Sequence, residues 1–159
     1  MLFRINGADG KEMRVWLARR LVKQLWPKLL QLLSHKVAQE VPAATTDARH
    51  MVLGMRHEAA VGRADFSQPY RANATQFPLG EEPFVASKLS MSTQPDGVYL
   101  LSMHPTFGQG VGLRLNDTLL HGWCRMLQKA CREAEWDLVL DFPGPTSSDK
   151  KAIDIRLLN

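Results

Sequence analysis

The chain has 159 residues, 45 % of them apolar and 23 % charged, with 20 lysines and arginines against 16 aspartates and glutamates. This composition excludes a disordered, highly charged chain and fits one domain over 1–159 that builds its own core. Charge enters at Arg4, before any leader-like apolar run, and no window approaches 18 uncharged apolar residues, so a cytoplasmic protein without a membrane span is expected.

The net charge of +4 is unevenly placed, with eight basic and three acidic residues in 1–41 and twelve and thirteen in the remainder. Residues 2–6 read as a possible short strand. A helical hairpin is predicted over 11–64. Its first helix, about 11–41, places Leu17, Leu21, Leu25, Leu29 and Leu33 on one drifting face. Pro27 removes a backbone donor, so a kink near Trp26 or a fresh helix starting at Pro27 is expected. After a turn at 42–47 that offers Thr or Asp as N-cap, the second helix runs over about 48–64. Its predicted buried stripe is Ala48, Met51, Val52, Met55, Ala59 and Gly62, with His50 and His57 opposite.

Residues 65–83 carry Pro69, Pro78, Gly80 and Pro83 and read as an extended connection. The period then changes to two, which predicts a β-meander over 84–116. Its strands cover about 85–93, 98–103 and 111–116, joined by a Gln94-Pro95-Asp96-Gly97 turn and a 104–110 loop. Asn116 or Asp117 caps a third helix over 117–141, with Leu120, Cys124, Leu127, Cys131, Ala134 and Leu138 on its inner face. Residues 142–159 form a loop and a possible terminal strand at 153–157. The class is α+β: an antiparallel sheet of three to five strands, with the helical hairpin and the long third helix packed on one face.

No catalytic, cofactor or metal site is recognised. His57-Glu58 opens like a zinc-protease helix, but Val61 stands where the second histidine belongs. His121, Cys124 and Cys131 do not close a tetrahedral zinc site, and the two cysteines are read as reduced core residues. Gly108-Gln109-Gly110-Val111-Gly112 precedes a strand rather than a helix, so it is a hairpin and not a phosphate cradle. Asn73-Ala74-Thr75 and Asn116-Asp117-Thr118 match the glycosylation pattern by chance.

The helical surfaces carry the functional signal. On the first predicted helix Trp16 falls among Glu12, Arg19, Arg20 and Lys23, a basic face able to stack on an aromatic group while its cations meet phosphates or carboxylates. On the second, Arg49, Arg56 and Arg63 recur every seven residues, and Arg125, Lys129 and Arg132 form a row on the third. The leading expectation is a non-catalytic macromolecule-binding or assembly module acting through Trp16, Arg19, Arg20, Lys23, Arg49, Arg56 and Arg63. Its partner is expected to be a protein or a second copy, paired through the first helix and a sheet edge. Nucleic acid bound by the same rows is the alternative, and an enzyme using His104 or His121 is a third.

Overall fold

A computed structural model describes residues 1–7, 9–64, 66–67, 70 and 74–144. It contains β1 (Leu2–Asn6), β2 (Glu12–Trp16), α1 (Arg19–Glu40), α2 (Thr46–Arg63), β3 (Phe84–Val85), β4 (Lys88–Thr93), β5 (Tyr99–His104), β6 (Val111–Leu115) and α3 (Asp117–Glu133). The predicted terminal strand at 153–157 lies outside the described residues.

The class is α+β, but the predicted layout of one sheet behind an N-terminal helical hairpin is overturned. There are two three-stranded sheets, ordered β1-β2-β3 and β4-β5-β6, and the strands of the first flank α1 and α2 in sequence. The error began at Glu12–Trp16. These residues alternate polar and apolar, and Gly10, with φ +76°, closes the Gly7–Lys11 turn that folds them antiparallel onto β1. Leu2 faces Trp16 and Asn6 faces Glu12. Val15 is wholly buried, and Phe3 on the same inner face meets Trp123 of α3 edge-on at 6.4 Å. Phe84 and Val85, assigned to the meander from sequence, add to β2 in parallel instead. Ala86 N–H still donates to the Trp16 carbonyl, and Ser87 N–H donates to the His104 carbonyl at 2.8 Å, so the chain crosses directly from one sheet to the other.

The meander itself runs over 88–115 with β5 at its centre. Gln94 and Val98 close its first turn, where Gly97 takes φ +77°. Tyr99, Leu101 and Met103 alternate inward along β5. α1 packs along β4, and α2 packs on both α1 and α3.

α1 runs through Pro27 without a break, so no second helix starts there. Leu21, Val22, Leu25, Trp26, Leu29, Leu33 and Val37 are buried, and burial of this stripe outweighs the hydrogen bond that Pro27 cannot donate. Thr45 Oγ1 accepts from Ala48 N–H at 3.2 Å to start α2, and Asn116 Oδ1 accepts from Leu119 N–H at 2.9 Å to start α3. α3 stops at Glu133, well before the predicted 141. Glu135 adopts the left-handed conformation with φ +51°, and the amides of Glu135 and Trp136 return to the carbonyls of Arg132 and Cys131, a Schellman closure.

Beyond it the chain is an extended strap. Trp136, Leu138, Leu140 and Phe142 turn inward while Asp137, Val139 and Asp141 are exposed. Gln128 holds the strap by donating to the Leu140 carbonyl. The strap presses so closely on α2 that a Cβ added at Gly54 would stand 2.7 Å from the Pro143 carbonyl oxygen. Gly54→Ala is therefore expected to destabilise the fold by about 1–2 kcal/mol despite alanine's better helix propensity. Gly62→Ala, with no neighbour within 4 Å, is expected to gain about 0.5 kcal/mol. Urea denaturation of the two variants reads the contrast, and equal gains would mean that the strap yields.

Candidate functional site

Three helices converge on a cleft of about 630 Å³. α1 contributes Leu33, Lys36 and Val37, and α2 contributes residues from Val52 to Arg63. Tyr99 comes from the start of β5, and Asp117, Thr118 and His121 from the first turns of α3. The floor is apolar, because Leu33, Val37, Leu53 and Ala60 belong to the buried core or its margin.

The polar groups fall into two sets. Lys36 Nζ donates to both carboxylate oxygens of Asp117 at 2.9 Å and stands 5.1 Å from the Tyr99 ring centre. Burial disfavours charge on both partners, yet their mutual hydrogen bonds prevail, lowering the Asp117 pKa and raising that of Lys36. Tyr99 is fully buried, and among the described residues its hydroxyl makes no hydrogen bond of normal geometry, although it lies close enough to Lys36 and Asp117 to favour the charge on both. Burial, reinforced by the Asp117 charge, pushes that phenol up to about 12, so it stays protonated.

The second set lies behind the cleft wall. His57 and His121, both buried, face each other with their Nδ1 atoms 3.2 Å apart. One imidazole must donate while the other accepts, so the two cannot both be protonated. Phe142 of the strap stacks on His57 at 3.8 Å and 11°, and its other neighbours are Trp26, edge-on at 5.5 Å, and His121. Desolvation lowers both histidine pKa values, that of His121 to about 4 with further help from the charge His57 would carry.

No protein-family model matches the chain, and no curated protein or solved structure does either. Function must be argued from these groups.

The residues singled out from sequence do not share one helical face. Trp16 ends β2, 43 % exposed, and makes a row across the first sheet with Leu2 and Val85. Glu12 sits on the same strand rather than on a helix. It is fully buried beneath Arg4, Arg14 and Tyr70, and Arg4 and Arg14 stack on the rings of Tyr70 and Phe77. Arg19 donates to the Asp137 carbonyl at 3.1 Å, and Arg20 and Lys23 are exposed in the first turns of α1. Arg49 holds the α1–α2 turn through the carbonyls of Val41 and Pro42. Only Arg56 and Arg63 reach the cleft, Arg56 paired with Glu40 and Arg63 donating Nε–H to the Ala59 carbonyl at 3.1 Å.

His121 is joined by His57 and not by His104, which ends β5. Both cysteines are free and buried, and burial pushes their thiols up. Among the described residues, no group of three or more His, Cys, Asp or Glu could hold a metal ion, and no helix is long and apolar enough to cross a membrane.

Tyr99, Lys36 and His57 escaped the sequence reading. Tyr99 looks like any central-strand aromatic, and His57 was assigned to the wrong side of α2. The face of that helix is reversed: Leu53, His57 and Ala60 are buried, whereas Met51 and Met55 are 43 % and 65 % exposed. α2 carries apolar residues on both sides, so its periodicity alone does not select the inner one.

Proposed function

We propose that the protein is a non-catalytic assembly module that pairs with a second copy of itself through α2. The observation that carries this reading is the apolar crest of that helix, where Met51, Met55, Ala59 and Gly62 face outward. The first helix, expected from sequence to make the contact together with a sheet edge, has its apolar stripe buried in the core, and Trp16 lies on β2 instead. Methionine and arginine are the residues that protein interfaces favour, and methionine adapts its shape to a partner.

Charge selects a second copy as the occupant. At about 100° per residue, Asp47 and Glu58 lie some 60–80° to one side of Met55, and Arg63, Arg56 and Arg49 some 80–120° to the other. A two-fold axis parallel to the helix sets the acidic flank of one copy against the basic flank of the other. Glu58 then comes within two residues' rise, about 3 Å along the axis, of the partner's Arg56, and Asp47 likewise of the partner's Arg49. Such a surface is self-complementary in the way a closed dimer requires. Arg49 and Arg56 each keep donors for this in addition to their contacts at home, since a guanidinium has five.

Sedimentation velocity at high micromolar concentration tests the proposal. A dimer is expected that weakens with added salt, and Met55→Glu should weaken it by more than about tenfold by placing two carboxylates on the axis. A wild-type monomer overturns the reading. So does retardation of a DNA or RNA probe at low salt that Met55→Glu preserves and Arg56→Ala with Arg63→Ala removes, an outcome that favours nucleic acid instead.

A further inference from the structure

We propose that the cleft between α1, α2 and α3 is a binding site for a monoanionic amphiphile: a carboxylic acid with an apolar body and a hydrogen-bonding oxygen at its inner end. This goes beyond self-pairing and does not require it, although Met55 and Ala59 belong both to the crest and to the cleft lining, so self-pairing would narrow the cleft mouth.

The apolar body follows from the floor. Leu33, Val37, Leu53 and Ala60 present hydrocarbon, and about 630 Å³ lies within the range of small-molecule sites. The inner oxygen follows from Tyr99. A buried hydroxyl without a hydrogen bond of normal geometry is costly and uncommon in a native interior, and Tyr99 lines the cleft wall. Two of the three Lys36 N–H groups go to the oxygens of Asp117, and among the described residues no hydrogen bond of normal geometry joins either partner to the Tyr99 hydroxyl. A ligand hydroxyl or carbonyl oxygen meeting Tyr99 Oη satisfies it.

The single negative charge follows from the ion pairs around the cleft. Asp117 neutralises Lys36, and Glu40 neutralises Arg56. Arg63 has no carboxylate partner among the described residues, and its Nε–H goes to a backbone carbonyl, leaving the terminal guanidinium nitrogens for a ligand. Arg63 is exposed at the end of α2 while Tyr99 is buried. The carboxylate therefore sits outermost, the hydrocarbon on the floor and the second oxygen innermost. A cation would meet Arg63 unfavourably, and a dianion would leave one charge unpaired.

Calorimetric titration of the full chain with 10-hydroxydecanoic acid, decanoic acid and 1-decanol tests this. The hydroxy acid is expected to bind up to about tenfold more tightly than decanoic acid, and decanoic acid more tightly than decanol. Tyr99→Phe should erase the first difference and leave decanoic acid unaffected, without lowering the melting temperature. Arg63→Ala should erase the second. Met51→Glu, whose substitution lies on the crest but outside the cleft lining, should bind the hydroxy acid at least as tightly as the wild type, because any self-pairing through Met55 would compete for the cleft mouth. The proposal is overturned by equal binding of the three probes, by no binding of any, or by a Tyr99→Phe variant that is destabilised, which would mean that the hydroxyl already has a structural partner.

Discussion

Phe142→Ala is expected to cost about 3 kcal/mol at neutral pH, the range for deleting a packed aromatic ring. Phe142 of the strap touches all three helices, stacked on His57 of α2 and packed against Trp26 of α1 and His121 of α3. Its loss removes the ring contacts and admits water to the histidine pair. It also frees the strap where the Pro143 carbonyl meets Gly54. Denaturant unfolding measures the loss, and a cost below about 1 kcal/mol would mean that the strap closes over the gap unaided. Phe142→Leu should recover part of the loss, because the apolar volume matters more than the stacking geometry.

Acidification from pH 6.5 to 4 is expected to remove about 3 kcal/mol of stability through His57 and His121. Desolvation is the first cause for both, and each would feel the other's charge if protonated. Around them Glu58 favours protonation of His57 and Arg125 opposes it, while Asp117 favours protonation of His121 and Lys36 and Arg56 oppose it. The folded pKa of His121, about 4, lies below the unfolded value of 6.5, so between those values the unfolded chain binds more protons. The histidines' contribution is thus fully present above pH 6.5, falls as the pH drops towards 4, and levels off below. Stability flat across that window overturns the assignment, and His57→Phe should shallow the slope. Phe142→Ala should shallow it as well, since hydrated histidines regain ordinary pKa values. The two effects are therefore non-additive.

Glu12 marks a separate, lower window. Burial pushes its pKa up, but hydrogen bonds from Tyr70, Arg14 and Arg4 outweigh this and hold it at about 2. Its contribution is present above pH 4.5 and is lost only as the pH falls from 4.5 towards 2.

Local chemistry made several elements legible. Thr45 and Asn116 were readable as caps because an N-cap needs only a short side-chain oxygen two or three residues ahead of free amides. The Gln94–Gly97 turn was readable because glycine accepts a positive φ, and the meander because alternation is a local pattern. The hairpin of β1 and β2 was less legible. Met13, Val15 and Leu17 alternate as in a strand, yet they also continue the apolar period of α1. Pairing with Leu2–Asn6 decided between the two. The strap carried its own signal in the alternation from Trp136 to Phe142, hidden because Leu138 extends the helical period of α3. The end of that helix came from Glu135 entering the left-handed region without a glycine to announce it.

The candidate site was legible in Arg56, Arg63 and His121, but not in Lys36 or Tyr99. By itself the sequence determined the α+β class, the starts of α2 and α3, the Gln94–Gly97 turn and a basic first quarter, all of which depend on residues near one another along the chain. Tertiary structure decided which side of α2 turned inward, because both sides carry comparable apolar surface and the choice fell to Phe142, His121 and Gly54, which lie far apart in sequence. That choice placed His57 in the interior and left Met51 and Met55 outside. Tertiary packing also set Tyr99 beside the Lys36–Asp117 pair with its hydroxyl short of a normal hydrogen bond. Burial and hydrogen-bond satisfaction are properties of a residue's surroundings, so no local pattern encodes them.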